Sequence, residues 1–516
     1  MKKGRVKKKI VWLLATILTV TGVANVGTMS KVGAAEMIAA KSINMKQSDN
    51  TIAGIDAPIS TDNTATEWQG DYIYYGSYSG SSVKFRVLSP CEVNYGDTTL
   101  LLDSDAVLAQ MKYKDSYSDV RWSSSDLKTW LNGTGNGQFL EEFSTTEQSA
   151  IIDSTKSSVI GAGDFPSEKY VYVALTGEKI FALDASEANH SGYGYANDDT
   201  RIKQGGIYEW WLRSTNPEVT DAICTVYSDG NIYNYYFPNY EKVGASPAMN
   251  IDLDAVLLTS PYNQEKATAF ACVDESSTNE WKLTIKATDD ELQAQTISNT
   301  TFYVNQASQD DRSLIVTHRA PSTVLSSATQ VSAMLTDSTG NVLYYGKVGA
   351  ASASSSTIEM PDTLAAGNYS LYVFAEDVNT ATMTDYACSL GTPISIIVQS
   401  KEGVTTNTVT VVNGFGSGDY ESGIEVEIRA NMAEPGKQFS KWKVTEGTAT
   451  LTDETSPVTS FTMMENAVTV TAFYEDISES SDTGDHLKLI WISLLAVAIV
   501  LAGILLIVKR KLINKW

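Results

Sequence analysis

The twenty residues from Leu489 to Val508 contain no charged side chain, and only Ser493 and Gly503 interrupt their apolar run. As a helix at about 1.5 Å per residue they reach roughly 30 Å, the thickness of a bilayer's hydrocarbon core. Lys509, Arg510, Lys511 and Lys515 follow at once, and basic clusters of this kind are retained on the cytoplasmic side. The expectation is a single transmembrane helix over 487–508 with a cytoplasmic tail at 509–516, which leaves everything before it outside the cell. A buried core helix would carry a polar face somewhere, and this segment has none.

The opposite end agrees. Lys2, Lys3, Arg5, Lys7, Lys8 and Lys9 precede an apolar run from Ile10 to about Val26 and the small residues Gly33-Ala34-Ala35. This is the layout of a secretory signal, expected to end at residue 35; an uncleaved N-terminal anchor is the alternative. Just before the C-terminal span, in the spacer 477–486, stands Ser481-Asp482-Thr483-Gly484-Asp485. It resembles the end of a cell-wall sorting signal read by sortases of Gram-positive bacteria, although Ser480 and Ser481 stand where the usual Leu and Pro would be. Cleavage between Thr483 and Gly484 would place the protein on the wall; otherwise the span itself attaches it to the cell membrane.

Of 38 basic residues, seven lie in the leader and five in the C-terminal segment, which leaves 26 against 61 acidic ones in the displayed part, a net charge of about −35. Nucleic acid is excluded as a partner, because phosphate backbones require basic surface. Cys91, Cys224, Cys272 and Cys388 form no C-x-x-C pair, so neither a metal nor another cofactor is expected. Disulfides are permitted outside the cell. Cys91 with Cys224 and Cys272 with Cys388 would each stay within one unit, but spacing does not choose among the three pairings.

The chain is too long for one core. Residues 36–70, polar and without period, read as a flexible linker. From Asp71 the sequence DYIYYGSYSGSSVKFRVLS spells a hairpin, and Thr98–Leu102 another strand. Leu127, Trp130 and Leu131, after serines and before Gly133, predict a short amphipathic helix. Ser144-Thr145-Thr146-Glu147 is a capping box, and Asp184-Ala185-Ser186-Glu187 repeats it with Asp as the cap, for a single turn. Asp229-Gly230 between two β-rich runs is a strong hairpin signal. The unit 71–258 is therefore α+β.

Trp122, Leu127, Trp130, Leu131 and Asn132, then Phe139, Phe143, Glu147 and Ile151, then KIFALDASEA from Lys179, then Trp210-Trp211-Leu212-Arg213-Ser214 and Pro247-Ala248 occur in that order. Together they resemble a bacterial surface-domain family of unassigned function, number 6273. The resemblance implies a fold similar to C-type lectins, with a ligand face on irregular loops, and gives Trp122, Trp130, Asn132, Trp210, Trp211, Arg213 and Pro247 structural roles. Ser246 stands where the family often has Arg, which puts in doubt any site relying on that guanidinium.

Residues 259–402 hold seven or so short β-rich runs and the loop Asp337-Ser338-Thr339-Gly340-Asn341, as an immunoglobulin-like β-sandwich would. Residues 403–476 alternate at Ile424, Val426, Ile428 and Ala430. Gly414, Gly416, Gly418, Tyr420, Trp442, Phe461, Met463, Val468, Val470 and Phe473 then resemble the internalin B-repeat family of bacterial surface proteins, implying a small β stalk module.

Catalytic signatures are missing: there is no H-E-x-x-H, no G-x-S-x-G and no phosphate loop. Glu141-Glu142 and Asp198-Asp199 could serve a glycosidase, which needs two carboxylates about 5 to 10 Å apart, but with 61 acids such pairs arise by chance. His190, beside Tyr193 and Tyr195, reads as a surface histidine before a ligand contact. Tyrosines are more suggestive, since Tyr72, Tyr74, Tyr75 and Tyr78, then Tyr227, Tyr233, Tyr235, Tyr236, Phe237 and Tyr240, fall on both faces of predicted strands. A tyrosine offers a flat apolar face and a polar tip to a sugar or peptide, although pairing across strands uses the same residues. The candidate contacts are Tyr193, Tyr195, Tyr235, Tyr236 and Tyr240. The expected function is a non-enzymatic surface binding protein with a carbohydrate or protein ligand; a structural stalk and, with less support, a carbohydrate-active enzyme are the alternatives.

Overall fold

The computed structural model describes residues 40–41, 43–46, 52, 54–58, 64–117, 120–157, 169–204, 209–262, 266–274, 278–304, 312–379, 383–400, 406–431, 433 and 437–476. The signal region, the spacer with Thr483 and Gly484, the span 487–508 and the basic tail lie outside the described residues. Among the described residues no helix is long and apolar enough to cross a membrane.

The molecule is mostly β. Strands Tyr72–Tyr78 and Ser81–Glu92 form the expected antiparallel hairpin, with Tyr78 opposite Ser81. Its two turn residues, Ser79 and Gly80, have φ of 51° and 76°, the left-handed pair a tight hairpin turn requires. Thr99–Ser104, Ala248–Asp252 and Ile180–Phe181 extend this sheet in antiparallel order. A second sheet runs Ile232–Tyr236, Ile223–Val226, Trp210–Thr215, Gly244–Ala245, Ala109–Gln110. The short helices Asp126–Asn132 and Thr145–Ala150 follow Ala109–Gln110 in the chain. Ser125 caps the first by accepting from Lys128 N, and Ser144 and Glu147 close the capping box of the second in both directions. Gly133 ends the first helix in an extended conformation and not a left-handed one, and a Cβ there would strike the Gln138 side chain. One apolar core holds Trp122, Leu127, Phe139, Phe143, Phe181, Trp210 and Trp211.

Residues 36–70 are not the free linker their composition suggests. Ala40–Lys41 pairs with Ala271–Asp274, and Asn44–Met45 with Val256–Pro261. Ile43, Ile52, Ile55 and Trp68 are buried. These apolar residues are too widely and irregularly spaced to give a periodic signal, so each joins a core individually.

The boundary at 258 is likewise crossed by the sheet. Strand Glu280–Glu291 pairs with Val256–Pro261, with Tyr72–Tyr78 and with Asp385–Ser389, and its Trp281, Leu283 and Ile285 belong to the first core. The expected β-rich runs, the one inside Glu280–Glu291 included, are all strands. Gln330–Thr336, Val342–Ala350 and Gly367–Asp377 centre one sheet, and Gln295–Thr296, Ser313–Thr317 and Ser355–Glu359 form a second, the two enclosing a shared core around Met334, Tyr345 and Phe374. Asp337 and Gly340 make the expected loop, with Asp337 N donating to Asn341 O at 3.0 Å. The last unit packs a four-stranded sheet and a three-stranded sheet around Trp442, Val426, Phe461 and Val470. Phe473 of the repeat pattern lies outward, under the Lys443 ammonium. None of the four cysteines is disulfide-bonded to another, and Cys224 and Cys388 are buried.

Candidate ligand-binding surface

Among the described residues strand Ile232–Tyr236 is an edge strand, hydrogen-bonded to Ile223–Val226 on one side only. Its alternation sends Tyr233 and Tyr235 to solvent, 48% and 45% exposed, while Ile232, Asn234 and Tyr236 are half-buried. Tyr227, Phe237 and Tyr240 from the flanking loops are also exposed, as is Tyr117 from a loop distant in sequence. The rings form two contacting groups, which meet where Tyr235, Tyr236 and Phe237 follow one another in the chain. Tyr236 is the hub, with centroids 5.9 Å from Tyr233, 6.2 Å from Tyr227 and 5.2 Å from Tyr240. Phe237 bridges Tyr235 and Tyr117, 5.7 Å from each. Seven aromatic rings on one partly exposed surface exceed what cross-strand pairing needs, and exposed apolar patches of this kind mark interaction sites.

The patch is held rigidly from below. The Tyr236 hydroxyl donates to Glu209 Oε2 at 2.7 Å, and its ring stands edge-on to the buried Trp211, 6.1 Å away. Burial and the Glu209 carboxylate both raise the Tyr236 pKa, so this hydroxyl stays a donor. Trp211 Nε1 donates to Met111 O, and Asn216 and Asn234 side chains tie the strand to its neighbours. At the hairpin turn Gly230 has φ +82°, and a Cβ there would lie 1.8 Å from Asp198 O. Gly230 O also accepts from Arg201 Nε at 2.7 Å, so turn and helix lock together. On the rim Lys112 is paired with Asp115 and Glu241.

Tyr193 and Tyr195 do not belong here. They are 3% and 1% exposed, and their hydroxyls donate to Glu92 and Asp103 carboxylates inside the core. Their segment is folded inward over Trp68, whose Nε1 donates to Tyr193 O at 2.9 Å. His190 packs half-buried against the Tyr193 ring, and burial lowers its pKa. Of the expected contacts, Tyr235, Tyr236 and Tyr240 come together. Tyr117 had no signal, since only the fold brings residue 117 to residue 237.

Trp122, Trp210, Trp211, Arg213 and Pro247 are buried. Asn132 bridges helix to sheet, donating to Ile180 O at 2.7 Å and accepting from Ile180 N at 3.0 Å. Trp130, less buried, donates to Gly137 O. Arg213 Nη1 reaches Glu187 Oε2 at 2.7 Å and Nη2 reaches Asp184 Oδ2 at 2.8 Å. Lys156 closes the group on the same two carboxylates, and Tyr95 donates to Glu187. Asp184 and Glu187 also cap each other's backbone N–H as the sequence implied. At Ser246, where the pattern favours Arg, a cation arrives from elsewhere: Lys203 Nζ lies 2.5 Å from both Ser246 Oγ and Asp103 Oδ2. These closed networks are scaffold. One member of each acidic pair is engaged, Glu142 by Ser79 N and Asp198 by Arg201. Among the described residues no group of three or more His, Cys, Asp or Glu could hold a metal ion.

Residues 96–253 match the family model of a domain of unknown function, DUF6273, and residues 402–478 match the divergent InlB B-repeat domain, in the order expected. The B-repeat points to a surface protein. No curated protein matches the chain. Among solved structures, extracellular domains 3–5 of Drosophila OTK align at 9% identity and TM-score 0.14, covering 33% of this chain and 55% of that one. A biofilm-associated protein BSP domain aligns at 8% identity and TM-score 0.13, covering 88% of this chain and 100% of that one. The chain thus spans just over half of the OTK fragment, and at such scores neither likeness bears on fold or function.

Proposed function

We propose that this chain is a non-enzymatic binding protein of the bacterial cell surface, exported by its N-terminal signal and held by its C-terminal span, whose aromatic edge strand takes a carbohydrate ligand. The observation that carries this reading is the exposed patch formed by Tyr117, Tyr227, Tyr233, Tyr235, Tyr236, Phe237 and Tyr240. Sugar rings present apolar C–H faces that stack on such rings, while phenol hydroxyls meet the sugar hydroxyls. The strand beneath the rings is tied to its neighbours by the hydrogen bonds of Tyr236, Trp211, Asn216 and Asn234, which lowers the ordering entropy that opposes binding. At the rim Lys112 is shared by Asp115 and Glu241, so no free positive charge from this group draws an anionic ligand. The β-sandwich and B-repeat then act as spacers between this surface and the membrane. The lectin-like description rests on the ring surface alone and does not invoke calcium.

A second reading has its own observation: the strand lies at a sheet edge, where an extended peptide can add as a further strand. A glycan array and a peptide array probed with the full chain separate the two. Saturable glycan binding that Tyr235→Ala weakens supports the first; peptide binding that persists in Tyr235→Ala supports strand addition. Binding to neither array would overturn both.

A further inference from the structure

A third buried charge cluster lies where the sandwich meets the first unit, and it differs from the other two. Lys266, Lys282, Glu376 and Asp385 are all within 1% of complete burial. Lys266 Nζ lies 2.5 Å from Glu376 Oε1, 2.6 Å from Thr284 Oγ1 and 3.1 Å from Asp385 Oδ2. Lys282 Nζ lies 3.0 Å from Asp385 Oδ1 and 2.9 Å from Oδ2. Glu376 Oε2 accepts from the Tyr345 hydroxyl at 2.5 Å and from Ser332, and Asp385 Oδ1 also accepts from Asn379 N at 2.8 Å. Three of the four carboxylate oxygens are thus satisfied. Asp385 Oδ2, though beside two ammonium groups, accepts no hydrogen bond.

A buried carboxylate oxygen without a hydrogen bond, next to a lysine nitrogen that a second carboxylate grips, is the arrangement an amide condensation needs. We propose that Lys266 and Asp385 become joined by an isopeptide bond in the folded chain, with Glu376 carrying the protons. Burial works to lower the Lys266 pKa while Asp385 and Glu376 hold it up, so the reaction starts from ammonium and carboxylate. One ammonium proton passes through Glu376 to Asp385 Oδ2, leaving a neutral amine beside a neutral acid. The nitrogen lone pair attacks Asp385 Cγ and the C–N bond forms. A second nitrogen proton follows through Glu376 to the same oxygen, the Cγ–Oδ2 bond breaks, and water departs. Glu376 ends as it began, and no oxidant or reductant is involved.

Two arguments favour Lys266 over Lys282: only Lys266 contacts both carboxylates, and Lys282 is already a hydrogen-bond donor to Oδ1. The cluster also stays neutral, since one charge of each sign remains, on Lys282 and Glu376. Condensation removes two of four buried charges, each of which is costly to hold away from water. The link would join the segment entering the sandwich to strand Asp385–Ser389, so that tension on the membrane end bypasses most of the sandwich.

The test is mass spectrometry of the purified full chain after proteolysis. The expected result is a branched peptide joining the Lys266 and Asp385 segments, one water lighter than the two separate peptides; Glu376→Gln should abolish it and Lys282→Arg should keep it. Unlinked Lys266 and Asp385 peptides from folded wild-type chain would overturn the proposal whatever the variants do. A branch at Lys282, or one persisting in Glu376→Gln, would overturn the assignment of nucleophile or relay.

Discussion

Arg213→Ala is expected to be the most damaging single change in the first unit. The guanidinium is wholly buried and makes four hydrogen bonds: Nε to Val173 O, Nη1 to Ala182 O and Glu187, and Nη2 to Asp184. Truncation leaves Asp184 and Glu187 facing Lys156 alone, one uncompensated negative charge in the core, together with two orphaned carbonyls. Breaking a buried pair in this way costs about 3–5 kcal/mol, and each unsatisfied carbonyl adds roughly 1 kcal/mol. Since domain stabilities run about 5–15 kcal/mol, the variant should stand near the edge of folding. Arg213→Lys keeps the charge but not the planar fork, and should recover less than half of the loss.

Acid titration adds a second readout. Burial by itself would raise the Glu187 pKa, but Arg213 and Lys156 outweigh it and hold the carboxyl far below its usual range. A depressed carboxylate stabilises the fold above its unfolded pKa and loses that contribution as pH falls through the folded value. Wild type should therefore weaken steeply below about pH 4.5, the unfolded value for Glu, and Arg213→Ala much less. Urea unfolding followed by tryptophan fluorescence, at neutral and acid pH, measures both. A loss under about 1 kcal/mol at neutral pH would refute the reasoning, because it would place the pair in the range of a solvated ion pair.

Two further predictions concern single positions. The Asp71 carboxyl is pushed up to about 6 chiefly by burial, against the hydrogen bond from Asp56 N; a raised acid costs stability as pH climbs from about 4 to 6, by up to about 3 kcal/mol at 1.36 kcal/mol per unit. Asp71→Asn should remove that slope and be the more stable protein at pH 7, and equal denaturation midpoints for both proteins at pH 5 and 7 would contradict it. Gly230→Ala forces a Cβ into Asp198 O at φ +82°, which should cost at least about 1–3 kcal/mol and disturb the ring patch; an unchanged melting temperature would count against it.

Local features were legible where the chemistry is local. The Ser144–Glu147 capping box, the single turn capped by Asp184 and the Asp229-Gly230 hairpin each depend on residues within four positions, and all formed as expected. The ring surface was half legible: strand alternation exposes Tyr233 and Tyr235 whatever lies behind them. Tyr193 and Tyr195 show the limit, because a tyrosine in a glycine-rich loop looks alike whether it faces water or a buried carboxylate. Pairing of charges over long separations was invisible as well. Lys203 with Asp103, Arg213 with Asp184 and Lys266 with Glu376 are single charged residues in the sequence, and only the sheets bring them together. Strand Glu280–Glu291, shared by two units, hid the first boundary for the same reason.

The central claim is that the ring surface binds sugar. Tyr233 and Tyr235 are exposed, so replacing both with Ala should leave stability within about 0.5 kcal/mol. If each stacked ring contributes about 1 kcal/mol, the double variant should bind roughly 30-fold more weakly. The measurement is a calorimetric titration of the full chain with the strongest glycan from the array, wild type against Tyr233→Ala/Tyr235→Ala. Saturable binding by wild type with that loss in the variant is the predicted result; equal affinity in the two proteins would contradict the account.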